Sequence, residues 1–196
     1  MNDSKPLLIC LTGMPGAGKS TVASFLADAG YDVVIMGDCV REEAQLRNLD
    51  LSDENLGKLM ITLREEGGQG AIANLVIKKI KEMSKNHINK KSIFLIDGIR
   101  STPELKILSN YGLVKIIAIH ASTNVRFNHI KTRSREDAPT SIEEYSNRDS
   151  RELKIGVSEA IALADEVINN NNISLTELKN QAIYIVDKWK KEYLEQ

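Results

Sequence analysis

Gly13-Met14-Pro15-Gly16-Ala17-Gly18-Lys19-Ser20 constrains this chain more than any other segment. It satisfies the phosphate-binding spacing G-x-x-x-x-G-K-[ST] at every constrained position. Its surroundings give the pattern physical meaning. The apolar run Leu7-Leu8-Ile9-Cys10-Leu11 predicts a buried strand entering the loop. Beyond it, Val22, Phe25, Leu26 and Ala29 recur at helical spacing.

A strand, a glycine loop and a helix in that order build an anion site from backbone alone. Glycines at 13, 16 and 18 permit tight turns and bring amide N–H groups close to an anion. A helix starting near Lys19 adds unpaired donors and the positive end of its dipole. The Lys19 ammonium can reach the β- and γ-phosphates, and the Ser20 hydroxyl can ligate Mg²⁺. Met14, Pro15, Ala17 and Thr21 complete the expected nucleotide-binding set. A chance glycine turn is the bland alternative, and the flanking elements argue against it.

The chain has 196 residues, 42% of them hydrophobic, enough for a packed core in a single expected domain. Its 26 basic and 27 acidic residues leave a net charge of −1. That balance argues against a dedicated nucleic-acid binder while leaving room for a local basic cleft. Cys10 and Cys39 are too far apart for a metal-binding pair and read as core residues. His87, His120 and His129 share no metal-ligand spacing. The first residues lack the apolar core of a secretion signal, and no apolar run approaches bilayer length. A soluble, cytoplasmic protein with no membrane partner is expected.

Apolar strand candidates near 7–12, 32–36, 92–96, 114–120 and 166–168 alternate with helical patterns. This predicts an α/β fold with a five-stranded parallel sheet and helices on both faces. Between the second and third strands, Leu56, Leu59, Met60 and Leu63 form one apolar stripe. Ile72, Leu75, Val76, Ile80 and Met83 form another. Gly67-Gly68-Gln69-Gly70 separates the two as a hinge or a plain turn. This helical insert spans about 38–85. Ser101 with Glu104, Ser141 with Glu144 and Ser174 with Glu177 read as helix-start capping boxes. Leu178, Ala182, Ile185, Trp189 and Tyr193 form the buried stripe of the last helix, and 169–172 reads as a loop before it.

Several charged residues extend the phosphate-handling apparatus. Ser92-Ile93-Phe94-Leu95-Ile96-Asp97 reads as a strand ending in a carboxylate that can hold Mg²⁺ through its water shell. A turn-capping Asp is the alternative. Asp38 and Arg41 are three residues apart after the second strand, at the sheet edge where open α/β folds bind ligands. An N-cap and a surface arginine are their bland readings. Arg100 follows Asp97 by three residues and suits phosphate through its planar fork. Arg126, Arg133, Arg135, Arg148 and Arg151 form an arginine-rich stretch. It reads either as a solvated surface or as a short lid over 133–150, neutralising the transferring phosphoryl group and excluding water.

These segments together resemble the nucleoside-monophosphate kinases of the P-loop NTPase fold. Gly13 to Lys19, with its Pro15, resembles the adenylate kinase loop. Gly37-Asp38-Cys39-Val40-Arg41 resembles that family's acceptor segment, and Phe94 to Arg100 its Asp-Gly segment, one residue shorter. Arg135-Glu136-Asp137 with Arg148 resembles a reduced lid whose spacing departs from the familiar one. Dephospho-CoA kinase is a second likeness, through Asp38 and a downstream Arg. Over nearly the full length the chain resembles an uncharacterised archaeal P-loop family related to both kinases. Met36-Gly37-Asp38, Asp53 to Lys58, Asp97 to Ser101, Ile119 to Ser122 and Ala162 to Asp165 carry that likeness.

The resemblance implies a three-layer P-loop NTPase fold with a helical acceptor-site insert and a short lid. It implies ATP and Mg²⁺ as cofactors and a small nucleotide-like acceptor. Lys19, Asp38, Arg135 and Arg148 would serve catalysis, and Ser20 and Asp97 the metal. Asp38, Arg41 and Arg100 would hold the acceptor, and Arg126 would pack on adenine. A monophosphate acceptor needs no general base, whereas a hydroxyl acceptor would use Asp38. An ATPase switch acting on RNA or a protein partner is the rival from another class.

Overall fold

A computed structural model describes residues 5–85, 92–132 and 141–195. Its sheet contains β1 (Leu7–Thr12), β2 (Asp32–Ile35), β3 (Ile93–Ile99), β4 (Leu113–His120) and β5 (Glu166–Asn169). All pairings are parallel, in the order β2-β3-β1-β4-β5. The first strand therefore lies at the centre, flanked by β3 and β4. Successive side chains of a strand point to opposite faces, and β1 is buried on both. Leu8 and Cys10 enter one core, and Leu7, Ile9 and Leu11 enter the other.

The first core is covered by α2 (Met36–Leu46), α3 (Asp53–Gly67), α4 (Ala71–Ser84), α5 (Thr102–Tyr111) and α8 (Val157–Ala162). The second is covered by α1 (Lys19–Asp28) and α9 (Leu175–Leu194). Fully burying each Leu, Ile or Val of these two layers contributes roughly 1.5–3 kcal/mol. Two further helices, α6 (Thr123–Lys131) and α7 (Ile142–Ile155), follow β4. This is a P-loop NTPase-type α/β fold. Its central strand ends at the glycine loop, where the chain crosses to either side of β1 and opens a crevice. Among the described residues, no helix is long and apolar enough to cross a membrane.

Three local differences from the sequence reading have physical causes. The strand expected to end at Asp97 continues to Ile99. Gly98, at φ 110, absorbs a register shift, so that Leu11 pairs with Asp97 and Thr12 with Ile99. The Thr12 hydroxyl then donates to the Ile99 carbonyl at 2.9 Å. Secondly, Met36, expected at the end of the second strand, instead opens the helix α2.

Thirdly, Ser101 and Glu104 do not form a capping box. Ser101 sits at the N-cap position of α5 without a side-chain cap bond, and Glu104 accepts from the Arg100 N–H at 2.9 Å instead. Ser174 and Glu177 do form the reciprocal box, and Ser141 accepts from the Glu144 N–H. In the 67–70 glycine segment, Gly70 is tightly packed, since a Cβ there would lie 2.3 Å from Ile107 Cδ1 and 2.9 Å from the Pro103 carbonyl oxygen, whereas Gly68 faces open space.

Candidate functional site

The glycine loop joins β1 to α1, whose N-cap residue is Gly18 at φ 111. Among the described residues no side chain caps this helix, and its first turn carries no acidic residue. Its positive end thus stays uncompensated, unlike those of α7 and α9, which carry serine caps and glutamates. The starts of α4 and α6 are uncapped in the same way, so what sets α1 apart is the glycine loop that leads into it.

Five consecutive loop carbonyls are held by side-chain donors. Lys19 Nζ donates to the Gly13 and Met14 oxygens at 2.7 and 3.2 Å. Arg126 Nη1 donates to the Pro15 oxygen at 3.0 Å. His129 Nδ1 lies 3.0 Å from the Gly16 oxygen. Since a carbonyl only accepts, this ring nitrogen carries the proton. Asn170 Nδ2 donates to the Ala17 oxygen at 2.8 Å. With the carbonyls tied down, the loop is braced in one conformation and needs little ordering when an anion arrives.

Lys19 is half-buried among charges. Burial pushes its ammonium down to about 8; Asp97 acts in the opposite direction, and Arg100 adds to the fall. Glu152 and Arg148 also act on it. One space therefore gathers the loop lysine, the β3 carboxylate, the arginine after β3 and two residues of α7. Asp97 is 4% exposed, on the strand beside β1. Ser20 and Thr21 lie in the first turn of α1.

At the start of α2, Asp38 and Arg41 are ion-paired one turn apart, both well exposed. Arg100 follows β3, its Nε 3.3 Å from Glu152 Oε2. Behind it, Glu104 is 1% exposed and lies 3.7 Å from Arg64 of α3. Desolvation raises the Glu104 carboxyl above the usual carboxylate range.

Arg126 is placed differently from an open adenine platform. It is 5% exposed, and Asp149 binds it with both carboxylate oxygens at 2.9 and 2.7 Å. Tyr145 lies 5.4 Å from its guanidinium carbon. Arg126 thus braces the loop, and it also lines a cleft of ≈ 260 Å³ with Met14, His120, Ser122 and Ile161. Arg148 lies on α7, on the face that also carries Tyr145, Asp149 and Glu152. Arg133 and Arg135, with the first part of the expected lid, lie outside the described residues.

A family model described as an AAA domain matches residues 12–146. A UPF0200 protein of Hyperthermus butylicus is 41% identical over 182 residues, covering 93% of this chain and 94% of that one. A UPF0200 protein of Methanocaldococcus jannaschii is 43% identical over 164 residues, covering 84% and 81%. The chain belongs to the UPF0200 family. Among solved structures, TT1252 from Thermus thermophilus superposes on this UPF0200 chain with a TM-score of 0.65 at 22% identity, covering 94% and 98%. Shikimate kinase from Acinetobacter baumannii does so at 0.55 and 16%, covering 96% of each. These structural likenesses agree with the P-loop NTPase-type α/β fold.

Several residues of this site escape a sequence reading. Asn170 looks like one of four loop asparagines, yet it is 7% exposed and buttresses the phosphate loop. His129, Asp149 and Glu152 carry no motif, and their roles arise from the packing of α6 and α7. Glu104 shows itself in sequence only as a helix-start glutamate.

Proposed function

We propose that this protein is an ATP-dependent kinase that transfers the γ-phosphoryl group to a nucleotide or nucleotide-like small molecule. The observation that carries this reading is the loop of residues 13–20, braced at five carbonyls and opening onto an uncapped helix N-terminus. An ATP tail fits there because the site supplies amide donors, a helix dipole and the Lys19 ammonium. Ser20 and Asp97 are the residues that would hold Mg²⁺. Two protein oxygens suit an ion that keeps its remaining positions for phosphates and water. When bound, the ion supplies neutralisation of charge on the β- and γ-phosphates.

Lys19 and Arg148 stabilise charge developing on the transferred group, together with Arg135 of the lid segment. Arg126 fixes the loop and lines the cleft where the base would lie. Arg41 and Arg100 hold the acceptor. Asp38 orients Arg41 through its ion pair, which suits an acceptor already carrying an anionic nucleophile.

Incubation with γ-labelled Mg-ATP and a panel of nucleoside monophosphates and dephospho-CoA tests this. Transfer of label to a monophosphate supports the reading. Label on dephospho-CoA would reassign Asp38 as a base. Label released only as inorganic phosphate, stimulated by RNA or a protein, would replace the kinase with an ATPase switch.

A further inference from the structure

The bulge in β3 decides which way Asp97 faces. Phe94 and Ile96 enter the core that α4 covers, and Leu95 enters the core that α1 covers. Alternation puts Asp97 on the face of Leu95, the side of α1, whose first turn carries Ser20. A regular strand would send Ile99 to that face as well. Ile99 instead joins Phe94 and Ile96 in the other core. The extra residue at Gly98 therefore leaves Asp97 as the last side chain of β3 on the α1 face.

One side chain holds this offset. Thr12 is completely buried, and its hydroxyl donates to the Ile99 carbonyl at 2.9 Å. It is also the residue before Gly13. A single buried hydrogen bond thus joins the entry of the glycine loop to the far side of the bulge. Without it a buried carbonyl loses its partner, and the bulge is free to relax towards a regular register. We propose that Thr12 is a positioning residue for a divalent cation: its hydroxyl fixes the Gly98 bulge and so keeps the Asp97 carboxylate aimed towards the Ser20 end of α1. The proposal rests on the ATP-dependent reading for the cation's place, and it adds a residue that touches neither cation nor nucleotide.

The test measures ADP affinity of the full chain by calorimetry, once with excess Mg²⁺ and once with EDTA. The ratio of the two affinities is the magnesium benefit. Thr12→Val keeps the shape and removes the donor. It should bind ADP in EDTA as the wild-type protein does and lose about fivefold of the benefit, the worth of one hydrogen bond. Thr12→Ser keeps the hydroxyl and should keep the benefit. Asp97→Asn should remove the benefit, and adding Thr12→Val to it should remove nothing further, because both act through one carboxylate.

A folded Thr12→Val protein with the full magnesium benefit overturns the proposal. So does one whose ADP affinity falls as much in EDTA, the mark of general damage to the loop, and so do additive losses in the double variant. Should Thr12→Val fail to fold, Gly98→Ala reaches the same bulge from β3. A Cβ there meets nothing closer than Met36 Cβ at 3.6 Å, so the strain falls on its φ of 110 alone. A full benefit in that variant also overturns the proposal, as does a wild-type chain that binds ADP and gains nothing from Mg²⁺. A wild-type chain that binds no ADP under either condition would instead remove the proposed function.

Discussion

Asp149 and Arg126 form a two-point ion pair, at 2.9 and 2.7 Å, and the same guanidinium reaches the Pro15 carbonyl at 3.0 Å. The helix α7 is thereby tied to the glycine loop of residues 13–20. Cutting this link with Asp149→Ala leaves a buried guanidinium without its partner, at a cost of about 3–5 kcal/mol. The expected outcome is a clearly lower urea midpoint together with weaker nucleotide binding. Unchanged MgATP affinity in a folded variant would show that the brace does not act on the loop.

Lys19 makes nucleotide binding pH-dependent. Burial pushes its ammonium down to about 8 in the ligand-free protein, so part of it is uncharged in mildly alkaline solution. A bound triphosphate favours the charged form, so binding there takes up protons. Affinity should fall as pH rises above that value. Calorimetry at pH 8 in buffers of different ionisation enthalpy measures the uptake, and heats independent of the buffer would contradict it. Lys19→Ala should slow turnover by on the order of 3 kcal/mol of transition-state stabilisation.

Gly13 tests the loop's geometry. It lies at φ 142, and a Cβ there would stand 2.3 Å from the Ile119 carbonyl oxygen. Backbone cannot retreat as a flexible side chain can, so Gly13→Ala should cost on the order of 2 kcal/mol and weaken MgATP binding. A thermal midpoint equal to that of the wild-type protein would count against this packing.

Glu104 leaves a signature in stability against pH. Its folded carboxyl lies above the unfolded value, chiefly through desolvation, with Arg64 and Arg100 acting in the opposite direction. The raised group favours folding below the unfolded carboxylate pKa, and this contribution is lost as pH rises through the folded one. Relative to Glu104→Gln, the wild-type protein should lose stability over that interval. Denaturant titrations of both proteins across it would show a constant gap if the account is wrong.

The sheet and loop were legible because their signals are local. A five-residue apolar run with no polar face requires burial on both sides, and β1 has it. The glycine spacing identifies its turn because only the backbone is needed to build it. The stripe from Leu178 to Tyr193 is buried as its period demands. Residues that reach the site through tertiary packing gave no such signal. Asn170 serves the loop from the end of β5, and Glu152 meets Arg100 across more than fifty residues. Gly98 moved the end of β3 past Asp97 because a bulge depends on the neighbouring strand's register, which one strand's sequence does not contain.

Isothermal titration of the folded protein with a non-hydrolysable Mg-ATP analogue, alongside Lys19→Ala, tests the central claim most directly. The account predicts saturable one-to-one binding to the wild-type chain and a marked loss of affinity in the variant. Absence of binding to the wild-type chain, or equal affinity in both, would contradict a triphosphate seated on residues 13–20.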